Sequence, residues 1–396
     1  MTRSRRIPTA LSLAVAVIVA LGAGASPALA AGEAHPFLRE FGRSATEAFS
    51  NPNGIAIDES TGEVYVADIG TDSVYKFNAN GEPEEFAALH SHALTGTTTE
   101  AKSFSFPSLY GSPAAITVDN SSSPSDPSAG DLYVMDGGHG VIDKFSPEGR
   151  YLSQIGGFTP STGVAEGELL GLGVDGSGTV HVDLSARGAH LTRDLLIDEF
   201  DGAGTNISRQ RWTSEDFNGE IGLPGYEGPA HGFAVSATGD DYPIYEPSCS
   251  CTLKWGQHLS GLGRVDSGEA GDVAVTVDPA TGHLYADDQS SVAEWDTGAM
   301  NRNSTPSNNL SAGTLVARFG SLQLSSFAGE GGIAVDGASG EIYVSNSADG
   351  KVYVFGSDTP AVTAGEPTDV TKEAASLSGT VDPRGVAVSS CEFEYG

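Results

Sequence analysis

The chain has 396 residues and a formal net charge of −32 at pH 7, with 52 acidic and 20 basic side chains. This excess of acid argues against binding to nucleic acid or to an anionic membrane surface, because both need clustered Lys and Arg. Glycine is abundant at 52 residues, charged residues make up 18%, and only three cysteines occur. We therefore expect many short strands joined by turns, without a disulfide framework.

The first thirty residues predict an export signal. Three arginines within residues 3–6 precede an apolar run over residues 11–21, and Ala28–Ala30 supplies the small residues that signal peptidase requires. The run is too short to span a bilayer, and the sequence offers no other candidate span. We expect cleavage near Ala30 and a secreted or cell-surface protein. Removing three arginines and no acids would take the net charge from −32 to −35.

Residues 36–356 contain six copies of one repeat. Each begins with a small residue, a large apolar one, a small one, Ile or Val, and usually Asp. The six motifs are Gly54–Asp58, Ala115–Asp119, Gly171–Asp175, Gly232–Ser236, Ala274–Asp278 and Gly332–Asp336. A turn, a second strand and a third strand follow in each copy, and several copies add a weaker fourth strand. The third strands end in the aromatic residues Phe77, Phe145, Phe200, Trp255, Trp295 and Phe355.

Four antiparallel strands repeated in this way predict an all-β fold, a six-bladed β-propeller. In the first copy Ile55 and Ile57 point to one face of the innermost strand and Ala56 points to the other. Blades come closest near the central axis, so one small face is needed there, while the aromatics fill wider gaps farther out. The small residues are Ala56, Thr117, Gly173, Ala234, Thr276 and Ala334. Pro243 makes the fourth copy irregular, because proline interrupts strand pairing.

The segment Pro36–Gly42, with the sequence PFLREFG, resembles the fourth strands of later copies but precedes the first copy. The sixth copy ends at Lys351–Gly356 and has no fourth strand of its own. We therefore expect Pro36–Gly42 to pair with Lys351–Phe355, so that the first strand of the domain closes the ring and completes the last blade.

The repeat resembles the NHL family over residues 36–356. The phrase NPNGIAIDESTGEVYVADIGTDSVYKFNANGE, residues 51–82, carries this likeness most clearly. Pro360–Gly396, with LSGTVDP and CEFEYG, resembles the first strands of a bacterial fibronectin type III-like module, which needs about 100 residues when complete. We expect a signal peptide over residues 1–30, the propeller over 31–357, and a partial fibronectin-like module, an incomplete β-sandwich from a truncated frame or gene fragment, over 358–396.

Two rings of acidic residues are candidates for chemistry. The aspartates that close the innermost strands are best explained by turn formation, since Asp bonds nearby backbone amides. A second ring ends the second strands, on the propeller face that usually holds ligands. Converging carboxylates there could bind Ca²⁺, which prefers oxygen ligands, although turn capping is the default interpretation. The candidate metal ligands are Asp68, Asp136, Asp183, Glu246, Asp288 and Asn346. We predict no other cofactor.

Other reactive residues form no recognisable set. His139, His181 and His231 lack the spacing of a zinc site, and we interpret them as surface or packing residues. Cys249 and Cys251 could join a metal site or form a strained ring, but unpaired loop cysteines are the simpler reading, and Cys391 would be left without a partner. Sequons begin at Asn120, Asn206, Asn303 and Asn309. No nucleophile elbow, Ser–His–Asp grouping or phosphate loop is present.

These observations predict a non-enzymatic scaffold or recognition protein. Its partner, an unidentified protein, glycan or small molecule, would bind the loop-rich face, with the blades as rigid support. The longest loops that lead into innermost strands are His90–Ser112 and Thr213–Ala230. The alternative is an enzyme, because propellers similar to this one include calcium-dependent lactonases and zinc-dependent amidating lyases. The ligand sets of those enzymes have no residue-by-residue match in this sequence.

Overall fold

The structure is a computed structural model. It describes residues 15–18, 34–106, 114–123, 126–160, 166–187, 193–212, 232–245, 251–254, 263–266, 274–287, 291–298, 311–324, 331–357, 361–365, 367–368, 370–371, 374–382 and 391–395. The chain forms two compact units, Phe37–Phe355 and the combined terminal segments Met1–Pro36 with Gly356–Gly396. No helix among the described residues is long and apolar enough to cross a membrane.

In its described residues, the unit Phe37–Phe355 consists of short strands and turns, with one 3₁₀ turn at Ile69–Thr71. Its described strands form six sheets, numbered here in chain order by their innermost strands. Sheet one contains β3 (Pro52–Asp58), β4 (Glu63–Asp68), β5 (Ser73–Phe77) and β6 (Ala93–Leu94). Sheet two contains β7 (Ile116–Val118), β8 (Leu132–Asp136), β9 (Val141–Phe145) and β10 (Tyr151–Ile155). Sheet three contains β11 (Leu169–Val174), β12 (Val180–Arg187), β13 (Arg193–Phe200) and β14 (Asn206–Trp212).

The second half of this unit follows the same order with two variations. Sheet four contains β15 (Phe233–Val235), β16 (Asp241–Tyr245), β17 (Cys251–Lys254), β18 (Gly263–Asp266) and β22 (Ser311–Ala312). Sheet five contains β19 (Ala274–Val277), β20 (Leu284–Asp287), β21 (Val292–Asp296) and β23 (Thr314–Phe319). Sheet six contains β24 (Ile333–Asp336), β25 (Glu341–Asn346), β26 (Lys351–Phe355) and β2 (Phe37–Phe41).

The first strands of the sheets form a closed ring. Strand β3 contacts β7, β7 contacts β11, β11 contacts β15, β15 contacts β19, β19 contacts β24, and β24 returns to β3. Each sheet then continues outward through antiparallel neighbours, except that β22 pairs in parallel with β18 in sheet four. This radial arrangement of sheets is a β-propeller.

The prediction of six four-stranded blades is wrong in its count, because five described sheets have that form. The fourth copy forms a five-stranded sheet, in which Gly263 and Arg264 of β18 pair in parallel with Ser311 and Ala312 of β22. Its second strand, β16, contains Pro243, which lies opposite Phe233 of β15. Proline has no N–H to donate. The repeat's regular pattern is therefore lost where the sequence motif is weakest.

The predicted closing strand is confirmed. Strand β2 pairs antiparallel with β26, with Phe37 opposite Phe355 and Phe41 opposite Val352. The ring of Phe41 lies 5.0 Å from that of Phe77 in sheet one. The N-terminal strand thus completes sheet six and also packs against sheet one, which joins the two ends of the propeller.

The apolar core lies between neighbouring sheets. Ala56 belongs to the cluster between sheets one and two, whereas Ile55 and Ile57 belong to the cluster between sheets six and one. This confirms the predicted split of β3 into a small and a large face. Of the predicted outer aromatics, Trp255 lies outside the described residues and the others are buried, namely Phe77, Phe145, Phe200, Trp295 and Phe355.

The unit of terminal segments contains two described strand pairs. Strands β27 (Ala361–Ala364) and β28 (Gly379–Asp382) pair antiparallel. Strand β1 (Val15–Ile18), within the predicted export signal, pairs antiparallel with β29 (Glu392–Tyr395). The fibronectin-like module and the signal peptide remain predictions.

Candidate functional site

The innermost strands enclose a pocket of about 180 Å³ on the axis of the ring. Strands β3, β7, β11, β15, β19 and β24 all contribute to its wall. Most of the wall is aliphatic or small, and one end is lined by residues that follow the strands. The polar side chains among the described lining residues are Glu59, Thr117, Asn120, Asp175 and Thr276.

The innermost strands approach one another most closely where they begin. A Cβ atom on Gly332 would lie 1.8 Å from the carbonyl oxygen of Asn53, and one on Gly54 would lie 2.0 Å from that of Ala114. Ser345 and Asn53 add hydrogen bonds here, since Ser345 Oγ donates to Asn53 O and Asn53 Oδ1 accepts from the Ala114 amide. Only glycine allows this approach, because a side chain at either position would collide with the neighbouring backbone.

The opposite end of the pocket, here called the acidic mouth, carries Glu59 and Asn120. Asn120 Oδ1 accepts a hydrogen bond from the Glu59 amide at 3.0 Å, and Asn120 Nδ2 donates to Ile57 O at 2.8 Å. Burial raises the pKa of Glu59, and the nearby carboxylates of Asp336 and Asp278 raise it further. The amide of Gly337 opposes this by bonding the charged carboxylate. The mouth is therefore a place where negative charge is crowded.

The aspartates that close the innermost strands form turns, as predicted. Asp58 Oδ1 accepts from the amide and hydroxyl of Ser60, and Asp175 Oδ1 accepts from the amides of Ser177 and Thr179. Asp278 and Asp336 bond the residues two and three positions later in the same way. These side chains satisfy backbone groups of the turns, and Asp175 also lines the pocket.

The described members of the predicted second ring lie at the other edge of the sheets, here called the top face. In sheet one Asp58 pairs with Glu63 at one edge, whereas Pro52 pairs with Asp68 at the other. Asp68 is fully buried and accepts hydrogen bonds from the amides of Ser50, Asn51 and Gly70. It therefore fixes the loop that leads into β3.

Other members of this ring have local partners as well. Asp136 Oδ1 accepts from the Ser105 amide at 3.0 Å, and Asp136 Oδ2 lies 2.8 Å from His139 Nδ1. Asn346 Oδ1 accepts from the Ala348 amide at 2.9 Å. Burial raises the pKa of Asp136, and the hydrogen bond to His139 partly offsets the rise.

Asp183 does not share the position of Asp68 in its sheet. Tyr65 lies opposite Ala56, and His181 occupies the same place opposite Gly173. Asp183 is two residues beyond His181, whereas Asp68 is three residues beyond Tyr65, so by strand alternation the two point to opposite faces. The spacing in the sequence did not reveal this shift.

Glu246 and Asp288 of the predicted ring lie outside the described residues. Among the residues that are described, no group of three or more His, Cys, Asp or Glu side chains is arranged to hold a metal ion. The axial calcium site therefore stays a prediction.

A buried ionic group lies between sheets three and four. His181 is fully buried, its Nδ1 lies 2.8 Å from Asp241 Oδ1, and its Nε2 lies 3.6 Å from Asp175 Oδ2. Burial alone would lower the pKa of His181, but the two carboxylates outweigh it and raise the value to about 10. His181 is therefore a cationic packing residue. It agrees with the predicted structural role, while its charge was not foreseen.

The other five sheets hold tyrosine at the position of His181. In sheets one, two and six, a cation connects the sheet to its neighbour. In sheet two Lys144 Nζ lies 3.0 Å from Asp131 Oδ2, 5.2 Å from the ring centre of Tyr133, and donates to Gly202 O of sheet three at 2.9 Å. Lys76 of sheet one and Arg39 of the closing strand make equivalent contacts, to Pro147 O and Ala79 O respectively. These cations, here called the inter-sheet cations, stabilise the ring at its joints.

The predicted recognition loop between β6 and β7 is described as far as residue 106. Phe104 and Phe106 are buried in the core between sheets one and two and stack at 5.2 Å. The Phe106 amide donates to Asp72 Oδ1, and the Ser105 amide donates to Asp136 Oδ1. Residues 97–98 and 100–103 are exposed above this anchor. The other predicted loop, residues 213–230, lies outside the described residues.

Sequence reasoning missed two features near these sites. Asp143 is buried and, among the described residues, its carboxylate has no hydrogen-bond partner. Burial and the nearby Asp136 raise its pKa to about 7. Glu59 and Asn120 at the acidic mouth were also missed, although each directly follows the aspartate of a repeat motif. That shared position is the signal that could have identified them.

The cysteine predictions are only partly covered. Cys391 is free and exposed. Cys249 lies outside the described residues. Of the sequon asparagines, Asn120 uses its side-chain amide for the two bonds at the acidic mouth.

No protein-family model matches the chain, and no curated protein matches it either. Similar solved structures include a gluconolactonase from Xanthomonas campestris, at 13% identity over 78% of this chain and 86% of that chain, with a TM-score of 0.47. Streptogramin B lyase is similar at 12% identity over 81% of this chain and 97% of that chain, with a TM-score of 0.47. A nidogen–laminin complex is similar at 16% identity over 67% of this chain and 85% of that chain, with a TM-score of 0.42. The β-propeller assignment rests on the closed ring of innermost strands.

Proposed function

We propose that this chain is an exported, non-enzymatic recognition protein whose top face binds a protein, glycan or small-molecule partner. The supporting observation is the anchoring of the loop over residues 95–106. Its aromatic side chains are buried in the core and its amides are bonded by Asp72 and Asp136. Exposed residues held on a rigid support lose little entropy on binding, which favours recognition.

The NHL resemblance and the acidic composition agree with this proposal. A net charge of −32 disfavours binding of the protein to nucleic acid, which is also negatively charged. The predicted export signal and fibronectin-like module suit a modular protein of the bacterial surface.

The first experiment should separate recognition from metal-dependent hydrolysis. Purified mature protein would be analysed for bound metal and assayed against lactones and esters, with and without chelator. We expect no hydrolysis that chelation removes. A stoichiometric metal whose removal abolishes hydrolysis would reject the scaffold proposal in favour of an enzyme.

A second experiment tests the loop directly. Glycan and protein arrays would be probed with the parent and with a variant in which residues 100–103 are replaced by Gly and Ser. We expect at least one arrayed molecule to bind the parent but not the variant, while the two proteins have the same melting temperature. Equal binding by both proteins would exclude this loop as the recognition surface.

A further inference from the structure

The axial pocket combines an apolar wall with a negatively charged mouth. Rings of aliphatic side chains line it, exemplified by Ile55, Leu172 and Ile333, and the small residues of the repeat lie between them. Its volume of about 180 Å³ is similar to that of cavities that take benzene, which are on the order of 150 Å³. The space suits a compact apolar group.

Charge at the mouth has one sign. Glu59 lines the pocket, and the carboxylates of Asp336, Asp278 and Asp58 all raise its pKa. Among the described residues, the pocket lining contains no Lys or Arg. Asp175 also lies in the lining, but its charge is shared with His181. Glu59 therefore presents the negative charge that no cation balances among the described ion pairs.

We propose that the axial pocket binds a small organic cation, a primary ammonium group on a compact apolar body. The apolar body would occupy the space between the innermost strands, and the ammonium group would lie at Glu59. Each half of such a ligand matches one part of the site, since apolar surface is removed from water while the charge stays near a carboxylate at the mouth. A hard inorganic cation would leave the aliphatic wall unused.

This proposal is independent of the recognition function proposed for the top face. In sheet one Glu59 follows the strand end that pairs with Glu63, and Asp68 marks the opposite edge. Failure of one proposal would thus leave the other untouched.

Three probes of nearly equal size test the charge requirement: benzylammonium, benzyl alcohol and benzoate. Each would be titrated calorimetrically into the mature protein at pH 7 in 150 mM NaCl, a concentration that screens the general attraction of an acidic protein. We expect benzylammonium to bind with one-to-one stoichiometry, benzyl alcohol at least about tenfold more weakly, and benzoate not at all, since a charge-assisted bond is worth roughly a factor of ten.

Variants locate the site. Glu59→Gln keeps the shape of the side chain and an oxygen that can accept the hydrogen bond from the Gly337 amide. We expect the affinity for benzylammonium to fall about tenfold and the affinity for benzyl alcohol to stay unchanged. Glu85→Gln removes the same charge from an exposed position outside the pocket and should change neither. The proposal would be overturned if the three probes bound with equal affinity, or if both variants lost the same affinity for benzylammonium. It would also be overturned if benzylammonium did not bind, or if Ca²⁺ displaced benzylammonium stoichiometrically.

Discussion

Removal of the closing strand is the perturbation whose consequence can be worked out most fully. Deleting residues 31–42 takes away β2, whose register places four residue pairs against β26. It also removes the ion pair between Arg39 and Glu341 and the contact of Phe41 with Phe77. Strand β26 would become an unprotected edge, and sheet six would lose its connection to sheet one.

The magnitude follows from these contacts. Four backbone pairs are worth about 4 kcal/mol at roughly 1 kcal/mol each. The half-buried ion pair adds up to about 1 kcal/mol, and burial of an aromatic side chain adds about 2 kcal/mol. The sum of roughly 7 kcal/mol is a large part of the 5–15 kcal/mol that stabilises a typical domain. We expect the melting temperature to fall by at least about 10 °C.

The assay is thermal and urea denaturation followed by circular dichroism, on the mature parent and the truncated chain. A synthetic peptide of residues 34–43, added in excess, should restore part of the lost stability because it can pair with β26 in trans. A peptide with Arg39 replaced by Ala should restore less. If the truncated chain melts like the parent, the closing strand does not hold the ring together.

Three further substitutions test other parts of the fold. Lys144→Met should destabilise the protein by about 2–4 kcal/mol in urea denaturation, because it breaks an inter-sheet cation and leaves its carboxylate partner unpaired. His181 has a pKa raised to about 10, so the stability it contributes is fully present below pH 6.5 and is lost as the pH rises towards 10. The fall is at most about 1.4 kcal/mol per pH unit, and His181→Phe should remove it. Gly332→Ala should cost roughly 1–3 kcal/mol or more, because its Cβ would lie 1.8 Å from a neighbouring carbonyl oxygen.

Each substitution has a control and a contrary outcome. Lys102→Met changes the same charge at an exposed position, and a loss equal to that of Lys144→Met would show that net charge alone acts. If the stability of His181→Phe falls between pH 6.5 and 9 with the same slope as that of the parent, the pH dependence belongs to other groups. Gly156→Ala meets only one atom, at 3.8 Å, and should be nearly neutral. A Gly332→Ala protein as stable as the parent would show that the innermost strands can separate.

Local patterns in the sequence were sufficient for the repeat and its strands. The alternation of Ile55, Ala56 and Ile57 assigned two faces to one strand, and the structure places those faces in different clusters. The likeness of Pro36–Gly42 to later fourth strands was sufficient to predict a pairing across more than 300 residues. Both succeed because a strand's side-chain period and its repeat position are properties of the chain itself.

The shape of the fourth sheet could not be obtained in the same way. Pro243 showed that pairing would be irregular, but the parallel addition of Ser311 to Gly263 joins segments that share no motif. Register was the second failure: Asp183 was grouped with Asp68 by sequence, and one residue of offset puts its side chain on the other face.

The sequence by itself thus determined the all-β repeat, the turn-forming aspartates and the strand that closes the ring, since each depends on a local pattern or on similarity between copies. Only the tertiary structure decided how charges from different copies meet. His181 becomes a buried cation because Asp241, from the next sheet, lies 2.8 Å away. Glu59 becomes part of an acidic mouth because turns far apart in the chain converge on the axis. Electrostatic energy depends on distance in space, and a linear spacing cannot supply that distance.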